Sequence, residues 1–370
     1  MARTIIGVND PKAVKRYSGM LHLDVSQRAY WGQRFMGKGE NAETPVQLLT
    51  ELESDAGEQI YYDLLAEMRM TPVEGENTLE GNEEAQRPYT DSIYIDQARA
   101  GVNTGGRMTR KRTLHNLRDK ARRQQSNYWA RVFDEQLFMY GAGARGVNPN
   151  FLFPLGYTGR ANNAFAAPDA AHTLYGGNAT DYTNIDVNDK FDLALIGRAK
   201  TRADVQGGGA TDITVLQPCK IDGEETYVCV MHKWQEDDLR LDVGTGGWMD
   251  IQKAAAAALG NKSPLFKGAM GMYRDVILQA HRNVIRFNNA GVGNVEAARA
   301  LFLGSQALVV AFGSPGTNMR FDWNEETRDN GDKVVITTST IFGVKKTRFT
   351  TEAGPQDLGL FSLDTACASR

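Results

Sequence analysis

The stretch VEGENTLEGNEEA, residues 73–85, places five carboxylates close together: Glu74, Glu76, Glu80, Glu83 and Glu84. Carboxylates at that density could hold a divalent cation or share acid–base work. A calcium loop needs acidic or amide ligands at alternate early positions, a glycine at the sixth and a glutamate at the twelfth. Counted from Glu74, the sixth residue is Leu79, so the spacing fails. Acid–base catalysis needs one carboxyl group raised in pKa by an apolar pocket. A turn built around Gly75 and Gly81 offers no such pocket. An acidic tip facing solvent or a partner is the stronger reading, and a loose cation site is the weaker one.

A second charged stretch lies just downstream. GRMTRKRTLHNLRDKARR (106–123) gathers Arg110, Lys111, Arg112, Arg118, Arg122 and Arg123. These cations could hold phosphates, but no stacking aromatics stand among them, so base readout is not expected. A basic face paired with a partner is the better reading. GAGARG (141–146) matches G-x-G-x-x-G, yet that fingerprint needs a preceding strand and a following helix. Here the glycines follow a helical pattern and read as a helix stop. No P-loop, G-x-S-x-G or H-E-x-x-H pattern occurs. The histidines (His22, His115, His172, His232, His281) are dispersed. Cys219 and Cys229 read as small buried apolar side chains rather than zinc ligands. No catalytic residue, metal or cofactor is assigned.

These features sit in a chain of 370 residues, 41% hydrophobic and 24% charged, which is a globular balance. The net charge of −3 argues against a generally basic nucleic-acid binder. That average hides an asymmetry: residues 43–96 carry −12 and residues 107–131 carry +8. Neighbouring segments of opposite sign ask for a partner surface within or between subunits. Three cysteines suit a reducing compartment better than a disulfide scaffold. No apolar h-region opens the chain, and no apolar run approaches ~20 residues. Neither a signal peptide nor a membrane span is expected, and folding in a cytoplasm is.

The elements follow from periodicity and punctuation. Residues 1–45 read as an extended arm with one short helical piece. QIYYDLLAEMR (59–69) and DSIYIDQARAGV (91–102) read as strands flanking the acidic stretch, an extended β-hairpin. Ten-residue strands would reach roughly 33 Å, and such a ribbon must rest on another surface. Residues 109–140 lack Gly and Pro and repeat apolar side chains at three and four. One helix of roughly 45 Å is expected there, capped by Thr109 or Thr113 and stopped at Gly141 and Gly143. Its first half is basic and its second apolar. Residues 141–185 form a long loop. A second helix covers 186–206, capped by Asp186 or Asn188 and stopped by the glycines at 207–209. TDITVLQPC and TYVCVMHKW read as strands, GWMDIQKAAAAAL (247–259) as a helix, and DVILQAHRNVIRF (275–287) as strand-like. Residues 295–313 are a strand run or a buried helix and strand. Residues 332–349 are two strands broken at Gly343. The class is α+β.

MGKGENAETPVQLLTELESDAGEQIYYDL, VEGENTLEGNEEA, SIYIDQARAGV and GRMTRKRTLHNLRDKARRQQSNYWARVFDEQLF together resemble a known family. It is the major capsid proteins of podovirus-like tailed phages related to the enterobacterial podovirus N-four. The similarity runs over about 12–142 and, more thinly, through SPLFKGAMGMYRDVIL and ARALFLGSQALVVAFG to about 350. The resemblance implies the capsid fold of phage Hong Kong ninety-seven. That fold has an N-terminal arm, a β-hairpin called the E-loop, a spine helix in a peripheral (P) domain, and an axial (A) domain. On this chain the expected parts are arm 1–45, E-loop 46–105, P-domain 106–235 with spine helix 109–140, A-domain 236–324, and strands 325–370 returning to the P-domain.

The resulting expectation is a structural subunit, not an enzyme, that builds hexamers and pentamers of an icosahedral head. Its partners would be copies of itself, scaffolding, portal and decoration proteins, and packaged double-stranded DNA contacted without sequence preference. Assembly would take place in a bacterial host's cytoplasm, with no membrane involved. The acidic tip and the basic segment named above are the expected intersubunit contacts. Two alternatives stand beside this: a cytosolic enzyme with a cation-binding acidic loop, and another virion part such as a decoration or tail protein.

Overall fold

The computed structural model describes residues 11–39, 42–53, 57–65, 68, 70–113, 116–205, 216–221, 223–242, 271–314, 320–352 and 354–369. The expected helix at 247–259 and the glycines at 207–209 lie outside them. The class is α+β: two mixed sheets, several small strand pairs and a few helices.

One helix organises both sheets. It runs Leu117–Ala142, about 39 Å at 1.5 Å per residue, and its second half is buried. Trp129, Phe133, Leu137 and Phe138 share one core with Val228, Val230 and Leu301 of one sheet and Val310, Phe312, Phe321 and Phe342 of the other. Gly143 (φ 70°) ends it in the left-handed conformation expected of a helix stop.

The basic half is not continuous with this helix, contrary to the expected single span 109–140. A separate short helix covers Arg107–Arg112, and Thr113 and Asn116 are extended. Two effects favour the break. Asn116, rather than Thr109 or Thr113, caps the long helix: its Oδ1 accepts from the Arg118 N–H at 3.1 Å. The break also moves Arg110, Lys111 and Arg112 from the positive N-terminal end of a long helix to the C-terminal turn of a short one, where the helix dipole favours cations.

The six-stranded sheet runs Met36–Lys38, Val46–Leu49, Leu308–Gly313, Lys333–Lys346. Phe321–Arg328 pairs further along the same edge of Lys333–Lys346, and Asp96–Asn103 pairs along its other edge. The long strand is unbroken at Gly343, against expectation. The Tyr94 carbonyl passes where a side chain would stand, so glycine there admits a neighbouring backbone instead of ending the strand.

The eight-stranded sheet is centred on Glu224–Met231 and Val295–Leu303. Both of its faces are covered. Val228 and Val230 meet the long helix, while Tyr227, Cys229 and Met231 meet helix Leu193–Val205. Asp192 caps that helix by accepting from the Leu195 N–H at 2.7 Å, so Asp186 and Asn188 are not its caps. The run 295–313 resolves into two strands, Val295–Leu303 and Leu308–Gly313, one in each sheet. TYVCVMHKW stops being a strand at His232, which caps helix Lys233–Leu241.

The arm differs most from its expected form. It is chiefly one helix, Pro11–Arg28, followed by a short one, Gly32–Phe35. It packs on the long helix and on Phe321–Arg328, burying Leu21, Val25, Trp31 and Phe35. The 141–185 segment is likewise pinned: Tyr140 Oη donates to the Asn163 carbonyl at 2.7 Å, and Thr173–Tyr175 joins the eight-stranded sheet.

Candidate assembly surfaces

The acidic stretch lies at the end of a ribbon. Gln59–Leu65 pairs antiparallel with Pro88–Tyr94, seven residues a side, roughly 23 Å rather than the expected 33 Å. The ribbon is shorter because residues 96–103, expected to extend it, pair with Lys333–Lys346 instead. Its base is anchored to its own subunit. Ile60 and Ile93 pack with Leu49, Val309 and Ala311. The Tyr62 hydroxyl donates to Asp91 at 2.6 Å, Lys345 also pairs with Asp91, and Lys345 Nζ donates to the Ser92 carbonyl at 2.7 Å. Tyr61, on the opposite face of the base, is 65% exposed, and farther out, beyond the Arg87–Glu352 pair at 3.7 Å, Met68 and Leu79 are 74% and 52% exposed.

At the tip, Gly75 (φ 66°) and Gly81 (φ 89°) make the turns. Glu74, Glu76, Glu80 and Glu83 are exposed, and none forms an ion pair among the described residues. Glu83 accepts from the Gly81 N–H at 2.8 Å. Glu84 is different. It accepts from the Met70 N–H at 2.8 Å and pairs with Arg87, so it ties the two legs of the tip together.

The basic segment is partly used inside the subunit. Arg118 pairs with buried Glu325 at 2.6 Å, Arg122 with Asp24 of the arm at 3.4 Å, and Arg110 donates to the Asp332 carbonyl at 2.7 Å. Lys111, Arg112 and Arg123 are exposed and make no ion pair among the described residues. The tip glutamates and these cations are not brought together within one chain.

No cluster of three or more His, Cys, Asp or Glu side chains suited to a metal gathers among the described residues. No helix there is long and apolar enough to cross a membrane. Cys219 and Cys229 are free and buried, and burial pushes both thiols up to about 12.

One polar contact was not foreseen. Asp134, on the buried half of the long helix, accepts from the backbone N–H groups of Tyr30 (3.0 Å) and Trp31 (3.3 Å), where the arm turns. Burial raises its carboxyl to about 7, against the lowering effect of those two hydrogen bonds. Nearby, the His281 ring stacks on Phe138 at 4.9 Å, and burial lowers it to about 4. The signal for Asp134 was available: a carboxylate among Ala130, Phe133, Leu137 and Phe138 has to find donors.

Comparison with known proteins gives these contacts a setting. A family profile described as phage capsid protein matches residues 5–369. The major capsid protein of Pseudomonas phage KPP25 is 26% identical over 388 residues, covering 95% of this chain and 98% of its own. The capsid of Ralstonia phage GP4 is 42% identical, covers 100% of this chain and 99% of that one, and superposes with a TM-score of 0.82. The capsid asymmetric unit of cyanophage Pam1 shares the fold at a TM-score of 0.71 and 19% identity, over 93% and 94% of the two chains.

Proposed function

Because the chain belongs to the phage capsid protein family, as a major capsid protein of a bacteriophage virion, we propose that it self-assembles into hexamers and pentamers. These close as the icosahedral head of a tailed phage around double-stranded DNA. The observation carrying this reading is the ribbon. Its base is fixed to its own subunit, while Met68, Leu79 and the four tip glutamates are exposed, and those glutamates form no ion pair among the described residues. A neighbouring copy supplies both kinds of partner.

In the Hong Kong ninety-seven scheme, and within its N-four-like podovirus branch, residues 1–45 are the arm and 46–105 the E-loop. Residues 106–235 are the P-domain, 236–324 the A-domain, and 325–370 the returning strands. The ribbon lies across the neighbour, with Glu74, Glu76, Glu80 and Glu83 facing the neighbour's Lys111, Arg112 and Arg123. Arg110, Arg118, Arg122 and Glu84 hold those surfaces in shape. Exposed pairs contribute about 0–1 kcal/mol each, so they set register and encounter, while apolar burial supplies most of the affinity. Scaffolding, portal and decoration proteins are the further partners, and assembly takes place in the host cytoplasm.

The test is to express the chain, alone and with its phage's scaffold, and view the products by negative-stain microscopy. Closed shells of uniform diameter are expected. Rings, tubes, or a monomer that takes up one divalent cation tightly would overturn the proposal.

A further inference from the structure

A cavity of about 770 Å³ opens beside the outer face of the long helix. Four cations line it from four separate elements: Arg131 of the long helix, Lys233 at the start of helix Lys233–Leu241, Arg282 in the turn after Val276–Ala280, and Arg286 of strand Arg286–Ala290. No carboxylate is among its described lining residues. Three of the cations have carboxylate partners set back from the lining. Arg131 pairs with Glu135 at 2.7 Å, Lys233 with Glu236 at 2.8 Å, and Arg286 with Glu296 at 3.1 Å. Glu236 is shared with Arg240, so its single charge is divided between two cations. Arg282 is exposed and makes no ion pair among the described residues. Arg286 Nε is buried and has no acceptor there, and an unmet buried donor costs about 1–3 kcal/mol. Lys233 also opens a nine-residue helix, whose N-terminal end favours negative charge.

We propose that this cavity binds phosphate groups, with the backbone of packaged nucleic acid as their source. The proposal rests on the capsid reading above and adds to it a defined contact for the enclosed strand. Guanidinium groups suit phosphate because their planar forks present parallel donors to two oxygens. Four cations approaching from different sides suit a ligand carrying charge at successive points, as a nucleic-acid backbone does. The binding ignores sequence, because the cavity offers little free aromatic surface for a base. The Trp234 ring is covered by the Arg286 guanidinium at 3.9 Å and flanked by His232 at 5.0 Å, and the Phe151 ring in the same lining is covered by the Arg145 guanidinium at 4.8 Å. Phosphate contact without base contact gives position but no sequence readout. His232 adds no charge at neutral pH, since burial and then Arg286 lower it to about 4.

The full-length subunit is titrated with a short fluorescein-labelled DNA duplex of mixed sequence, and anisotropy is followed at several salt concentrations. The variant is Lys233→Ala/Arg282→Ala, two side chains that reach solvent. Shell formation, viewed by microscopy, is scored separately for both proteins, so a failure of the capsid reading is distinguishable from a failure here. The wild type should bind two unrelated duplex sequences equally. The variant should weaken binding at least tenfold and lower the log–log salt slope by about 2, one for each phosphate that is no longer neutralised. Inorganic phosphate at constant ionic strength should displace duplex from the wild type; phosphate that binds the wild type and not the variant, while duplex binds neither, would assign the site to the free ion and overturn the nucleic-acid source. An unchanged slope in a variant that still builds shells overturns the proposal. So does a synthetic peptide of residues 73–85 that binds wild type more tightly than the duplex and loses that binding in the variant. That result would give the cavity to the acidic tip of a second copy.

Discussion

Asp134 holds the turn of the arm against the long helix through two backbone N–H groups. Two histidines have the opposite pH behaviour: His232, which is buried, and His281, which is half-buried against Phe138. Burial raises Asp134 to about 7 and lowers His232 and His281 to about 4. A carboxyl raised in the folded state contributes stability that is full below its unfolded value near 3.8 and is lost as pH rises to about 7. A lowered histidine contributes stability that is full above 6.5 and is lost as pH falls to about 4. Between those limits each group changes stability by on the order of 1.4 kcal/mol per pH unit. Two histidines against one carboxyl leave a net loss on acidification. Asp134→Asn removes the opposing slope, so urea midpoints should fall more between pH 7 and pH 5 in the variant than in wild type. The comparison cancels every other titrating group, and equal losses would mean that Asp134 does not titrate in this window.

At the level of elements, Gly343 decides whether one long strand can serve three neighbours. A Cβ there would lie 2.0 Å from the Tyr94 carbonyl oxygen. Gly343→Ala should therefore destabilise the subunit by about 1–3 kcal/mol or more. Gly101→Ala, also in a strand of that sheet but with its nearest contact at 3.4 Å, should cost clearly less in the same denaturation experiment. Gly343 also marks how far the sequence could be read. A glycine inside a strand pattern signals either a break or a close approach, and only the neighbouring segment, here Tyr94, tells which. The ribbon strands, Glu224–Met231 and the buried end of the long helix were legible because their apolar spacing matches the faces they bury. The arm helix was not. Its composition is weakly helical, with Gly19 inside it, and its order comes from Leu21 and Val25 seated on distant elements. The split of 295–313 between two sheets was hidden for the same reason. Both halves are equally apolar, and the turn between them is fixed by tertiary contacts such as Gly304 against the Gln217 carbonyl. Of the candidate surfaces, the acidic tip was legible as charge and turn residues. The internal use of Arg118 and Arg122 was not, because Glu325 and Asp24 are distant in sequence.

For the whole molecule, the separation of charge within one subunit matters more than its total. The tip glutamates stand apart on a single chain from Lys111, Arg112 and Arg123, which make no ion pair among the described residues; in the proposed shell, attraction between them acts between copies. A contact worth a few tenths of a kcal/mol is negligible once, but a symmetric shell repeats it at every interface. It also acts before contact, since opposite patches raise the encounter rate. Charge reversal by Glu76→Lys/Glu80→Lys should leave the subunit's circular dichroism and melting unchanged, because both side chains are exposed, whereas Glu83 holds the Gly81 N–H in the turn. Shell formation followed by light scattering should slow. Added salt should slow wild-type assembly, because exposed charges are screened over about 10 Å at 0.1 M, and should slow the variant less or speed it. Glu84→Ala serves as the contrast. Its carboxylate joins Met70 to Arg87 within the tip, so its loss should loosen the ribbon itself and impair assembly to a similar degree at every salt concentration. Assembly of the reversed variant at the wild-type rate, with the same salt dependence, would take the tip glutamates out of the interface and leave the ribbon's apolar side chains as its only contact.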